Sequence, residues 1–110
     1  MMDEHDFRKK CEAALDALRK RLLELGDEHG FDVEGEGEKI ELVFEEPEEA
    51  RFVISPNTAA RQIWISALTT SFKLGWADSS NAFVLDKTGE ALPQVMSRIL
   101  TEQLQTQVTV

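Results

Sequence analysis

The spacing of apolar residues changes twice along the chain, and this change most restricts the folds that the chain can adopt. Near both ends apolar residues recur at steps of three and four, which is the spacing of one face of an α-helix. Between the ends they alternate with polar residues, as in a β-strand with one buried face. Helices and strands are therefore segregated, which favours an α+β fold over alternating βαβ units.

The first stretch predicts a long amphipathic helix. Asp3 suits the N-cap position, and the acidic residues that follow it suit the positive end of the helix dipole. We expect the helix to end at Gly26, because glycine readily adopts the left-handed conformation of a helix C-terminus. The apolar face consists of Phe7, Cys11, Ala14, Leu15, Leu18, Leu22 and Leu25. On this face we expect Cys11 to be a buried small apolar residue rather than a reactive thiol.

The middle of the chain predicts five or six antiparallel strands. Residues 31–34 and 40–44 alternate in polarity and flank the turn sequence GEGEK, which is typical of a hairpin. Further strands are expected in the segments RFVIS, RQIWISA, TSFKLGW and AFVLD, with PNTAA as a loop.

A second amphipathic helix follows the strands. Pro93 is compatible only with a first helical turn, so we expect this helix to begin near residues 90–92. Its apolar stripe is Leu92, Val95, Met96, Ile99, Leu100 and Leu104. The pattern predicts a single domain over residues 1–110. This domain is a two-layer α-β sandwich, with the N- and C-terminal helices packed on one face of a five- to six-stranded antiparallel sheet. The other face of such a sheet is in water.

Composition and motifs exclude several classes of protein. The chain of 110 residues has no apolar run long enough to span a membrane and no secretory signal at its charged N-terminus. Its single cysteine excludes an intrachain disulfide and a zinc site built from several thiolates. There is no glycine-rich phosphate loop, and neither His5 nor His29 accompanies a recognised nucleophile. We therefore expect a cytoplasmic protein that has no catalytic residues and is not an enzyme.

The formal net charge of −9 is concentrated in one segment. Residues 26–51 contain eleven acidic residues against Lys39 and Arg51, whereas acids and bases balance in the rest of the chain. A segment of this kind repels the backbone of nucleic acids. It attracts cations, metal ions and basic protein surfaces.

Alternation along the first strand places three of these acids on one outer face, and three more lie where the first helix meets that strand. The predicted metal-binding set is Glu24, Asp27, Glu28, Asp32, Glu34 and Glu36. Carboxylates without thiolate or imidazole suit hard or borderline cations, which they hold weakly and exchangeably. An alternative interpretation stays open: a solvated acidic face that only keeps the protein soluble.

Trp64 has an unusual position in the segment RQIWISA. Alternation points Ile63 and Ile65 toward the core, which leaves Trp64 on the outer face of the sheet beside polar neighbours. Two interpretations stay open from the pattern. The indole either folds over the sheet edge onto Phe72 or Trp76, or it is an aromatic anchor for a partner protein, since tryptophan is enriched at interface hot spots.

These segments resemble the frataxin/CyaY family. The family signature is a strand, a short asparagine-containing loop and then Gln-[Ile/Val]-Trp, which is similar to FVI, the loop and RQIWISA here. The segments KIELVF and DKTGE resemble the second strand and a later turn of the family, and the order of elements agrees over residues 4–106. The resemblance implies two helices on one face of an antiparallel sheet.

The resemblance also implies a function. Family members bind ferrous or ferric iron weakly through acidic residues, and they regulate iron–sulfur cluster assembly by contacting a cysteine desulfurase and a scaffold protein. We expect the partner-binding residues to be Asn57, Gln62, Trp64 and Ser66. We also expect a monomer, with oligomerisation in the presence of iron left open, and at most a weak ferroxidase-like activity. The alternative is an acidic adaptor or inhibitor that binds a basic protein surface and has no metal role.

Three departures from the family pattern bear on the iron site. Arg19 and Lys20 stand where the family carries acids late in its first helix, and Leu23 stands where another acid is common. The acidic surface is therefore expected nearer to the first strand than in the family. The acidic loop from Glu45 to Glu49 has no assigned role.

Overall fold

The computed structural model describes residues 2–110 as two helices and one six-stranded antiparallel sheet. The elements are α1 (Glu4–His29), β1 (Asp32–Glu34), β2 (Ile40–Phe44), β3 (Ala50–Asn57), β4 (Gln62–Ala67), β5 (Thr70–Ala77), β6 (Ala82–Leu85) and α2 (Leu92–Leu104). The strands lie in the sheet in the order in which they occur in the sequence. Apolar residues of both helices and of one sheet face form a single core, which confirms the predicted α-β sandwich.

Helix α1 begins as predicted but ends later than predicted. The side chain of Asp3 accepts a hydrogen bond from the backbone N–H of Asp6 at 2.8 Å, which caps the helix. The predicted end at Gly26 is wrong, because the helix continues to His29 and Gly30 adopts the left-handed conformation, with φ of 80°. Gly26 is needed for a different reason. A Cβ atom there would lie 2.7 Å from the carbonyl oxygen of Phe31, so only glycine allows the chain to turn back this closely.

The strand register divides the sheet into an inner face against the helices and an outer face. Leu42, Phe52, Ile54, Ile63 and Ile65 point inward and are almost completely buried. The residues between them point outward, as alternation predicts. Strand β3 extends through Asn57, so the loop predicted to begin at residue 56 is shorter than expected.

Helix α2 begins at Leu92, within the predicted range. The side-chain oxygen of Gln94 accepts a hydrogen bond from the backbone N–H of Ala91 at 2.8 Å, which satisfies a donor ahead of the first turn. Pro93 lies in that turn, where its missing N–H is not needed. Within residues 2–110, neither helix has the length and hydrophobicity that crossing a membrane requires.

The last residues of the chain lie between the two helices. Val108 is buried, and its backbone N–H donates to the hydroxyl oxygen of Thr101 on α2 at 3.0 Å. The guanidinium of Arg21 on α1 donates to the carbonyl oxygen of Thr109 at 2.8 Å. The tail therefore joins the two helices at this end of the molecule.

Candidate functional site

The outer face of the sheet carries the residues predicted to bind a partner. The register pairs Ser55 with Trp64 and Trp64 with Lys73, so these three side chains form a row across β3, β4 and β5. Asn57 and Gln62 form part of the next row. Ser66 lies on the other side of Trp64 along β4. We call this group the tryptophan surface: Ser55, Asn57, Gln62, Trp64, Ser66 and Lys73.

The indole of Trp64 is held at both its edge and its face. Its Nε1–H donates to the side-chain oxygen of Gln62 at 2.8 Å. The ammonium nitrogen of Lys73 lies 4.7 Å from the ring centroid, a distance at which a cation interacts with an aromatic ring. The residue remains 36% exposed. Trp64 is thus a large apolar side chain held in one orientation on a surface that faces water.

The interpretation in which Trp64 packs on Phe72 or Trp76 is wrong. Phe72 pairs with Ile65, which faces the core. The ring of Trp76 lies 5.2 Å from that of Phe83, also on the inner side of the sheet. Side chains on the inner face cannot cover a residue on the outer face, because successive residues of a strand point to opposite sides.

Asn57 has a structural role as well as a place on this surface. Its side-chain oxygen accepts a hydrogen bond from the backbone N–H of Ala60 at 2.9 Å, which closes the turn between β3 and β4. Ser66 is exposed and lies between Val53 and Ser71 in the sheet. The tryptophan surface therefore combines one fixed aromatic side chain with small polar neighbours.

The carboxylates predicted to bind metal lie together at the β1 end of the sheet. Three belong to the last turns of α1, two to β1 and one to the following turn, and all are exposed. We call this set the acidic edge: Glu24, Asp27, Glu28, Asp32, Glu34 and Glu36. Glu34 pairs across the strands with Glu41, which extends the carboxylates onto β2.

Several basic groups partly neutralise this region. The ammonium group of Lys39 lies 2.9 Å from a carboxylate oxygen of Glu41, and Arg51 binds the other oxygen. Hydrogen bonds from Lys39 first, and then from Arg51, lower the pKa of Glu41. A carboxylate oxygen of Glu24 lies 3.6 Å from the guanidinium of Arg21.

The carboxylates of the acidic edge do not converge on a common point. Within residues 2–110, no three side chains among histidine, cysteine, aspartate and glutamate lie close enough to share a metal ion. The arrangement supplies a negative field and isolated oxygen ligands rather than a preformed chelate.

Arg19 has a role that the sequence analysis missed. Its guanidinium donates to the carbonyl oxygens of Lys39 at 2.7 Å and Gly37 at 3.3 Å, and so ties the β1–β2 turn to α1. The sequence offered two separate signals of this contact, a long cationic side chain on α1 and a glycine-rich turn that exposes backbone carbonyl groups. The pairing of the helix with the turn was not visible in the sequence.

Cys11 is completely buried, as predicted. Burial raises the pKa of its thiol to about 12, and the negative charge of Glu38 contributes in the same direction. Because the thiolate is the reactive form of cysteine, this side chain is unsuited to nucleophilic or redox chemistry.

Comparison of the sequence with models of known protein families identifies the family of this chain. A model of the frataxin-like domain matches residues 1–106. The chain belongs to the frataxin family. Iron–sulfur cluster assembly proteins CyaY of Stutzerimonas stutzeri and Pseudomonas putida are 25% and 27% identical to it over 89 residues, which is 81% of each chain. The frataxin of Psychromonas ingrahamii has the same fold, with a TM-score of 0.74 over 98% of this chain and 97% of its own, at 19% identity.

The tryptophan surface includes two residues that sequence reasoning about this frataxin-like chain did not identify, Ser55 on β3 and Lys73 on β5. Lys73 lies nine positions after Trp64, and only the pairing of β4 with β5 places its charge over the indole ring. Alternation shows which face a residue occupies, but it does not show which residue stands opposite. For that reason the residues of β4 were predicted and the cation on β5 was missed.

Proposed function

We propose that this frataxin-like protein regulates iron–sulfur cluster assembly by docking on a complex of cysteine desulfurase and scaffold protein, and that it binds iron weakly through surface carboxylates. One observation carries the proposal: the fixed, exposed indole of Trp64 on the outer face of the sheet. The relatives named as iron–sulfur cluster assembly proteins support it.

The geometry of Trp64 suits protein docking. An exposed tryptophan buries a large apolar area when a partner covers it, and such residues dominate interface energetics. The bond to Gln62 and the contact with Lys73 restrict the indole before binding, so less side-chain entropy is lost in the complex. We assign this surface to the scaffold protein.

The acidic edge suits two tasks that need no chelate. Its charge attracts a basic surface of the desulfurase and raises the association rate. Single or paired carboxylates bind ferrous or ferric iron loosely, so bound iron exchanges readily. Iron here is cargo rather than a resident cofactor, and any ferroxidase-like activity arises from iron on these carboxylates.

We further propose that the protein acts as a monomer in the cytoplasm and performs no catalysis of its own. The buried, fully protonated thiol of Cys11 supports this view, because it removes the one strong nucleophile of the chain. Regulation then works through binding, by changing how desulfurase and scaffold meet.

Amide NMR titrations test the proposal in two steps. Addition of ferrous iron should shift or broaden signals confined to residues 24–38. Addition of the scaffold should instead perturb β3, β4 and β5 around Trp64, and addition of the desulfurase should perturb the acidic edge. If scaffold addition leaves Trp64 and its neighbours unchanged at saturating concentration, the docking assignment is wrong.

A second candidate function has one observation in its favour. The absence of a three-ligand cluster within residues 2–110 is what an acidic adaptor or inhibitor without a metal role would show. The iron titration separates the two candidates. Unperturbed amides at millimolar iron, together with retained binding to the desulfurase, would leave the adaptor function alone.

A further inference from the structure

Acidic residues are absent from one part of the chain. All 21 of them lie outside residues 50–77, which form β3, β4, β5 and the turns between these strands. The basic residues of this segment are Arg51, Arg61 and Lys73, so the segment carries a formal charge of +3 and the rest of the chain carries −12. The whole tryptophan surface belongs to this segment. It is therefore opposite in charge to the acidic edge, and it attracts anionic groups at short range.

Lys73 is the basic residue on the tryptophan surface itself. Arg51 is paired with Glu41 on β2, whereas Lys73 forms no ion pair with a carboxylate of residues 2–110. Its side chain is exposed, and its ammonium nitrogen lies 4.7 Å from the ring centroid of Trp64. An ammonium group has three N–H donors, and contact with one ring face leaves donors directed to water. The positive charge of Lys73 is thus available to a partner that covers the indole.

Asn57 adds hydrogen-bond donors to the same surface. Its side-chain oxygen already accepts the backbone N–H of Ala60 at 2.9 Å. Within residues 2–110 its amide nitrogen has no hydrogen-bond acceptor, so both of its N–H groups are left for a partner. This side chain therefore offers donors rather than acceptors, and it suits the same kind of group as Lys73 does.

The outer face of the sheet is open beside Lys73. Gly75 lies two positions after Lys73 on the same face and pairs with Gln62. A Cβ atom at Gly75 would have no other atom within 4 Å. Glycine weakens the interior of a strand, and it often marks a place where another chain approaches closely. A segment of a partner can therefore reach the main chain of β5 next to the ammonium group of Lys73.

We propose that the scaffold protein covers the tryptophan surface with an acidic segment, and that a carboxylate of this segment pairs with Lys73 beside the indole of Trp64. The N–H groups of Asn57 bind further oxygen acceptors of the same segment. The basic desulfurase surface and the acidic scaffold segment then meet surfaces of opposite charge, so neither takes the place of the other. The identity of the partner rests on the proposed function, whereas its negative charge follows from the residues of the surface itself.

Asn57→Asp tests the donors without removing the turn. Aspartate still accepts the N–H of Ala60, but its second oxygen replaces the outward amide group with a negatively charged acceptor. Scaffold affinity, measured by isothermal titration calorimetry, should fall at least tenfold, because like charges facing each other across an interface repel. Gln107→Glu adds the same charge to the exposed tail and should change the affinity less than about twofold. Unchanged affinity of Asn57→Asp, or an equal loss in Gln107→Glu, would overturn the proposal.

Ionic strength separates the two roles of Lys73, which contacts Trp64 and is proposed to bind the carboxylate. Lys73→Gln should weaken scaffold binding about fivefold at low salt, as expected for one ion pair near the surface. The difference from the unmodified protein should shrink below about twofold at about 1 M salt, where such pairs are screened. Lys73→Arg keeps both contacts and should bind normally. A fivefold difference that does not depend on salt would mean that Lys73 only orients the indole, and would overturn the proposal.

The open position at Gly75 is tested by a series of increasing side-chain size. Gly75→Ala and then Gly75→Val should raise the midpoint of urea unfolding, because both residues suit a strand better than glycine. Scaffold binding should weaken in the same order, by at least about fivefold in Gly75→Val, because the side chain takes the place of the partner. Normal binding by a folded Gly75→Val would overturn the placement of the acidic segment over β5.

A small probe separates the charge of the occupant from the identity of the partner. Tetraglutamate with blocked ends is titrated at low salt while NMR follows the indole N–H of Trp64 and the amides of β4 and β5. We expect saturable shifts at roughly millimolar concentrations, which Lys73→Gln abolishes, whereas tetralysine should shift only the amides of the acidic edge. Shifts with tetraglutamate but no binding of the scaffold would support the charge assignment and refute the proposed partner. The absence of shifts with tetraglutamate would overturn the charge assignment itself. Circular dichroism checks that each variant is folded.

Discussion

The tryptophan surface lies on the outer face of the sheet, whereas the acidic edge spans the end of α1, β1 and the following turn, and the two regions are organised differently. On the tryptophan surface one indole is fixed by a hydrogen bond at 2.8 Å and by a cation 4.7 Å from its ring. At the acidic edge, six exposed carboxylates do not converge on one position where a metal ion could bind, as judged over residues 2–110. One region can recognise a shape, whereas the other acts mainly through its summed charge.

This difference determines how each region responds to mutation. Binding that depends on one fixed side chain is lost when that side chain is removed, as at interface hot spots. An effect that depends on summed charge is lost gradually and is screened by salt. The four predictions below test this contrast, from the largest expected effect to the smallest.

Trp64→Ala should weaken scaffold binding by at least about 30-fold, which corresponds to the hot-spot threshold of about 2 kcal/mol. The free energy of unfolding should fall by only about 1 kcal/mol, because the residue is on the outer face and partly exposed. Isothermal titration calorimetry and urea unfolding measure the two quantities. Leu23→Ala, which removes the other large apolar side chain exposed within residues 2–110, is the control and should not change binding. A loss of stability of about 3 kcal/mol or more would mean that Trp64 belongs to the core.

Neutralising the acidic edge should slow association without changing dissociation. In the triple variant Asp32→Asn, Glu34→Gln and Glu36→Gln, we expect the association rate with the desulfurase to fall about tenfold at low salt. The difference should disappear at high salt, where the charges are screened. Stopped-flow kinetics at several ionic strengths measures this effect. The same charge change placed away from this edge, in Glu4→Gln, Asp86→Asn and Glu102→Gln, is the control. A tenfold faster dissociation in the first triple variant would indicate specific contacts instead.

Much of the fold follows from the sequence because alternation and helical spacing act locally. The α-β sandwich, the outward position of Trp64 and the start of α2 all depend on residues close together in the chain. The end of α1 could not be found in this way. Gly26 satisfies the sequence rule for a helix terminus, but the position requires glycine because the carbonyl oxygen of Phe31 approaches it closely, and that approach occurs only in the folded chain.

For both candidate surfaces, the sequence predicted where the residues lie but not which other residues they contact. The six carboxylates are adjacent in the sequence or on one strand face, so their common edge was foreseeable. The structural role of Arg19 and the contact of Lys73 with Trp64 depend on pairings between distant segments. Such pairings are set by strand register and helix packing, which a single sequence does not specify.

The fixed orientation of the indole can be tested by removing its hydrogen-bond acceptor. Gln62→Ala should weaken scaffold binding about fivefold, because one hydrogen bond contributes roughly 1 kcal/mol. The expected cause is greater mobility of Trp64, which NMR relaxation of the indole N–H measures independently. In the Trp64→Ala background the same substitution should have almost no further effect. A full fivefold loss in that background would mean that Gln62 contacts the scaffold directly.

The smallest predicted effect concerns Glu41, which joins the acidic edge to the basic groups beside it. Its pKa is lowered by hydrogen bonds from Lys39 and Arg51, so its ionised form is favoured in the folded state. The stability that this provides is present above the ordinary glutamate pKa, about 4.3, and is lost as the pH falls through the lowered value. Glu41→Gln should therefore reduce stability slightly at neutral pH and flatten the decline of stability below about pH 4.

Urea unfolding between neutral and acidic pH measures the pH dependence of stability, with Glu45→Gln in the acidic loop as the control. Equal pH profiles for Glu41→Gln and the unmodified protein would show that the ion pairs of Glu41 contribute no measurable stability.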